Sequence, residues 1–125
     1  MYRSLHLLLA ALGIAVIFGT AAPAGAATLA TGVLQTSNVT QIRCALANAS
    51  TQPMTYTMCS VSIFSGNDYI CDSGVLDPGR GTQLNAGSNG GVFYCRFAVN
   101  NKNAARATAS ITSFSGTPFA VIDAR

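Results

Sequence analysis

Apolar and polar residues alternate in short runs along this chain, and turn-forming residues separate the runs. From Ala27 onward no window sustains a 3.6-residue apolar repeat, whereas period-two alternation recurs, the pattern of strands with one buried face. Strands are predicted over 28–36 and 40–48; in the second, Ile42, Cys44 and Leu46 share one face while Gln41, Arg43 and Ala45 share the other. Ser50-Thr51-Gln52-Pro53 then signals a turn. The next run, 54–64, changes phase midway: Met54, Tyr56 and Met58 alternate in one register, and Cys59, Val61 and Ile63 in the other. A strand keeps one buried face through such a change only if an extra residue is absorbed. A β-bulge or a bend between sheets is therefore expected near Met58–Cys59.

Ser65-Gly66-Asn67-Asp68 turns the chain into a short strand at 69–73. Leu76-Asp77-Pro78-Gly79 is a stronger signal, because Pro presets the first central dihedral and Gly accepts the positive one of a type II turn. A weak strand at 81–86 leads into the Gly87–Gly91 loop. The run at 92–99 alternates cleanly, with Phe93, Cys95, Phe97 and Val99 on one side. After Asn100-Asn101-Lys102-Asn103, Ala105, Ala107, Ala109 and Ile111 alternate with Arg106, Thr108, Ser110 and Thr112, and 119–122 reads as a last edge strand. Seven or eight short antiparallel strands at this spacing predict an all-β fold, an immunoglobulin-like β-sandwich.

The first 26 residues belong to a different pattern. Arg3 supplies a positive start, Leu7 to Phe18 a short apolar run, and Ala24-Gly25-Ala26 a small-residue cleavage site, the three parts of a secretory signal peptide. The run is shorter than the ~20 apolar residues of a membrane span. The expected organisation is a cleavable signal at 1–26 and one domain at 27–125, secreted or periplasmic, and not an integral membrane protein once the signal is removed. Composition changes accordingly: the whole chain is 50% hydrophobic, but 27–125 holds 44 such residues among 99. That segment has no His, Glu or Trp, and six Arg/Lys against four Asp leave a net charge of +2, too small for a nucleic-acid partner.

Four cysteines remain in 27–125: Cys44, Cys59, Cys71 and Cys95. In an exported chain of this size they read as two disulfides. Cys44 and Cys95 lie mid-strand on inward faces, and Cys59 and Cys71 flank the Gly66-Asn67 turn, which favours the pairs 44–95 and 59–71. The rival, 44–59 with 71–95, follows if a two-residue loop at Thr51-Gln52 pairs the flanking strands. Separations of 15, 12 and 24 residues lack the close C-x₂₋₄-C pairs of a Cys₄ metal site, and no C-x-x-C redox motif is present.

With no histidine in 27–125, Ser-His-Asp and Cys-His catalysis have no base there, and with no Glu an acid/base pair must come from four aspartates that form no recognisable motif. No catalytic residue, cofactor or metal is therefore expected. Three weaker features are worth locating. Asn67, Asp68 and Asp72 could offer oxygens to Ca²⁺, although Asn and Asp also simply favour turns. Arg43, Arg96 and Arg106 fall on outward faces and could form a basic strip. Asn38-Val39-Thr40 and Asn48-Ala49-Ser50 match the N-glycosylation triplet, which Thr/Asn-rich strands also produce by chance.

Two segments, Arg43-Cys44-Ala45-Leu46-Ala47-Asn48 and Tyr94-Cys95-Arg96-Phe97-Ala98-Val99 followed by Arg106-Ala107, flank the Leu76-Asp77-Pro78-Gly79 turn. Together they resemble small exported bacterial β-sandwich proteins with disulfides. The resemblance implies an export signal, a sandwich and a Cys44–Cys95 bridge; it brings no established activity and no catalytic residues. True immunoglobulin domains differ: there is no core Trp here, and Phe93 rather than Tyr stands two residues before Cys95. The expected role is a non-enzymatic module that binds an unknown protein or envelope component. A structural subunit of a surface assembly is the alternative, as is a small inhibitor of a secreted hydrolase presenting the 87–91 loop or the 65–68 turn.

Overall fold

Alternating runs become strands along the whole domain, in a computed structural model that describes residues 27–87, 90–115 and 118–125. The predicted signal peptide lies outside the described residues. The strands are β1 (Ala27–Ala30), β2 (Leu34–Gln35), β3 (Thr40–Asn48), β4 (Met54–Ser62), β5 (Asp68–Leu76), β6 (Gly81–Ala86), β7 (Val92–Val99), β8 (Ala105–Ser113) and β9 (Pro118–Asp123). They form two antiparallel sheets. One has the order β1-β7-β4-β5, with β2 also on β7; the other runs β6-β3-β8-β9. No helix among the described residues is long and apolar enough to cross a membrane.

The inner faces supply a single core. Ile42, Cys44 and Leu46 of β3 and Ala107, Ala109 and Ile111 of β8 meet Met54 and Met58 of β4 and Phe93, Cys95 and Phe97 of β7. Small alanines on β8 leave room for the phenylalanines of β7, which is how a thin two-sheet core reaches native packing density. Cys44 bonds to Cys95 and thereby joins β3 of one sheet to β7 of the other; Cys59 bonds to Cys71 between β4 and β5. The rival pairing needed β3 and β4 to form a hairpin. They lie instead in different sheets, so residues 49–53 are a crossover. Two disulfides fit an oxidising compartment.

Two expectations about strand continuity are corrected. The predicted strand over 28–36 is two strands, so the described residues hold nine rather than seven or eight. Ala30 faces Arg96 and Leu34 faces Phe93, so four steps on one side match three on the other. The extra residue is absorbed around Gly32, while Thr31 holds Cys95 through both its backbone N–H and its Oγ1. The bulge expected in β4 near Met58–Cys59 is also elsewhere. β4 pairs with β7 without interruption from Tyr56 to Ser62. The shift is on the other side, where Ser60 faces Ile70 and Val61 faces Asp68, leaving Tyr69 as the extra residue of β5. The change of phase in β4 has a different cause: Met58 and Ser60 are buried on the inner face, and Cys59 and Val61 on the outer one.

The Asp77-Pro78-Gly79-Arg80 turn closes as its residues dictate, with Gly79 at φ 71° and the Arg80 N–H donating to the Asp77 carbonyl.

Candidate functional site

The outer burial at Cys59 and Val61 locates the most elaborated surface of the molecule, the end of the β4–β5 hairpin. The turn forms because Gly66 takes φ 66° and donates its N–H to the Ser62 carbonyl, while the Ser62 N–H donates to Asn67. Behind it, Cys59 and Cys71 are direct cross-strand partners and are bonded. Arg96 stands beside Cys59 on β7, and Asp68 stands beside Val61 on β5. Their ion pair, 2.6 Å between Nη2 and Oδ1, therefore crosses over β4 and covers it. Both side chains keep about two-fifths of their surface exposed, 41% and 38%. Solvent screening leaves such a pair worth at most about 1 kcal/mol, so its main effect is to shield Val61.

At the end of this hairpin large apolar side chains stand exposed on either side of the polar turn residues Ser65, Asn67 and Asp68. Phe64 is 82% exposed, and Ile63, Tyr69 and Ile70 are exposed beside it. Tyr69, the extra residue, reaches the ring of Phe93 at a centroid distance of 5.6 Å. Phe93 in turn lies so close to Gly91 that a Cβ there would come within 2.3 Å of its ring. The glycines at 87 and 91 thus serve the packing of Phe93. Four large apolar side chains exposed at the end of a cross-linked, braced hairpin mark a candidate interaction site.

The features singled out in the sequence do not converge. Asp68 is on the outer face with Arg96; Asp72, opposite buried Met58, accepts a hydrogen bond from the Tyr56 hydroxyl at 2.8 Å. The two carboxylates lie on opposite faces of β5 and cannot share a cation. Cys59, Asp68 and Cys71 do cluster, but both sulfurs are in the disulfide and offer no thiolate. Arg96 is on the outer face of one sheet, whereas Arg43 and Arg106 are on the other. There Arg43 donates to Asn85, and Arg106 to the carbonyls of Asn103 and Ala105. No continuous basic strip results. Of the two glycosylation triplets, Asn38 is exposed, but Asn48 is only 1% exposed and its amide is fully engaged.

Two shallow depressions also lie on the outer faces. One is floored by Thr28, Thr55, Thr57 and Ala98, the other by Ala45, Ala47, Gln83 and Thr108. Mostly small neutral side chains line both, with Tyr56 and Asn100 bordering the first and Arg106 the second, and neither gathers a nucleophile with a base. The Tyr56 hydroxyl is turned toward Asp72 of β5. Burial and then the hydrogen bond to Asp72 raise its pKa above 10.0, with Thr82 pulling the other way. A phenol whose folded pKa is raised stabilises fully below its unfolded value, and that stability is lost as pH rises through the folded value. The urea midpoint of the wild type is thus expected to fall more steeply than that of Tyr56→Phe above about pH 10; parallel curves would remove this role from Tyr56.

No family model matches the chain, and no curated protein or solved structure matches it. The structure itself defines a small all-β protein with two disulfides.

Proposed function

We propose that residues 27–125 form an exported, immunoglobulin-like sandwich without catalytic activity that binds a protein of the cell envelope through the β4–β5 hairpin tip. The single observation carrying this reading is the exposed group Ile63, Phe64, Tyr69 and Ile70, set on a hairpin stiffened by the 59–71 disulfide and the Arg96–Asp68 pair. Rigid aromatic side chains bury large areas at small entropic cost, so they anchor interfaces. The bridge from β3 to β7 across the core supports the immunoglobulin-like comparison. A net charge of +2 with arginines on different faces favours a protein partner over nucleic acid. Secretion or periplasmic placement agrees with the signal-like start and the disulfides.

A photo-reactive residue at position 64 tests the proposal in the native envelope. It is expected to yield one recurrent adduct that disappears in a Tyr69→Ser background. Repeated recovery of no adduct would overturn the reading.

A further inference from the structure

β5 ends its sheet, and its place in the ladder decides which backbone groups are free. Cys59 and Cys71 face each other with Cα atoms 4.1 Å apart, the narrow spacing of a non-hydrogen-bonded pair. On the other side of β4, the Thr55 carbonyl accepts from Asn100, just beyond β7. The odd-numbered residues of β4 thus turn their backbone groups toward β7. Their partners Cys71, Ser73 and Val75 turn theirs away from β4, into the open edge. The strand is nine residues long, and these three residues are exposed. It contains neither Pro nor Lys; of the usual guards against edge pairing it has the bulge at Tyr69, which lies outside the 71–75 stretch, and the inward Asp72. The opposite side of the molecule is better closed: Ala30 of β1 exchanges two backbone bonds with Arg125, and β9 begins with Pro118.

We propose that two copies of this chain pair through β5, antiparallel, about a two-fold axis at Ser73. Free backbone groups meet only when odd-numbered residues face odd-numbered ones. An axis at residue 72 satisfies this but sets Asp72 against its own copy in a narrow pair, where like charges repel. An axis at residue 74 places Cys71 opposite Asp77, past the end of the strand. The axis at Ser73 uses every free group: Cys71 faces Val75, and Ser73 faces Ser73. It also sets Asp72 against Gly74, which carries no charge, and half-exposed Ile70 against Leu76. Two sheets then continue as one across the axis. This pairing takes Ile70 from the hairpin-tip group but leaves Ile63, Phe64 and Tyr69 free, so the Ser73 variants test it separately from the hairpin-tip reading.

Sedimentation of residues 27–125 with both disulfides intact tests it. The wild type is expected to show a reversible, concentration-dependent dimer. Ser73→Pro removes an N–H that β4 does not use, and Ser73→Lys sets two cations at the axis; each should give a monomer with unchanged circular dichroism. If the proline variant misfolds, the lysine variant decides. Asp72→Asn should leave the dimer constant nearly unchanged; tightening by roughly fivefold, the effect of relieving a like-charge contact near 4 Å in water, would overturn the register. A wild type that stays monomeric at about 1 mM overturns the proposal. So does a dimer that survives both Ser73 variants, or a monomer whose β5 edge pairs only with foreign extended peptides.

Discussion

Replacing Cys44 and Cys95 together by alanine is expected to lower the unfolding free energy by about 4 kcal/mol. The bridge closes a separation of 51 residues, and the entropy it removes from the unfolded chain grows with the logarithm of that length. Both sulfurs are completely buried. They also join strands that are interior to their sheets: β3 lies between β6 and β8, and β7 between β1 and β4. The bridge thus holds the two halves of the core together. A domain of ~100 residues has 5–15 kcal/mol in total, so the loss is a large share and corresponds to about 20 °C in Tm. The 59–71 bridge closes only 12 residues, and its removal is expected to cost about 3 kcal/mol at most, because the hairpin keeps its ladder hydrogen bonds. Urea titration of the two double variants gives the comparison. An equal or larger loss from Cys59→Ala with Cys71→Ala would mean that the inter-sheet bridge does not dominate.

That ordering was legible in the sequence only as far as inward faces were. Ile42-x-Cys44-x-Leu46 and Phe93-x-Cys95-x-Phe97 announce their buried side by strict alternation, and the structure buries all six. Alternation misleads where both faces are covered. In β4 it suggested a bulge near Met58–Cys59, because a reader of pattern assumes one wet face. Arg96 and Asp68 lie 28 residues apart, yet they meet over Val61 and dry that face locally. The apolar outer residues record this cover, and no change of register in β4. The real shift, at Tyr69, leaves no mark on local composition. The candidate surface was legible as a turn at 65–68, but not as a patch, since the exposure of Phe64, Tyr69 and Ile70 depends on how the sheet ends.

Asn48→Ala is expected to cost about 3 kcal/mol, although the sequence presents this residue only as part of a glycosylation triplet. Asn48 ends β3 at the point where the chain leaves its sheet, and it is 1% exposed. Its Nδ2 donates to the carbonyls of Gln52, at 2.7 Å, and Leu76, at 2.9 Å. Its Oδ1 accepts from the Ser50 N–H and the Ser50 hydroxyl, and its own backbone pairs with Gly79 and Arg80. One side chain therefore fastens the 49–53 crossover to the end of β5. Alanine leaves the Leu76 carbonyl and the Ser50 N–H without these partners, and an unsatisfied buried group costs about 1–3 kcal/mol. The Gln52 carbonyl still receives the Ser50 hydroxyl, which keeps the total from rising further. Asn48→Asp separates hydrogen bonding from size. Its carboxylate would face two carbonyl oxygens in a buried site, so its folded pKa is raised above the unfolded value near 3.9. The variant's stability relative to wild type should then be best below that value and decline as pH rises through the folded pKa. Urea midpoints of the wild type, Asn48→Ala and Asn48→Asp at pH 3 and pH 7 give the test. A pH-independent deficit in the aspartate variant, or an alanine variant within about 0.5 kcal/mol of wild type, would show that Asn48 does not hold the crossover.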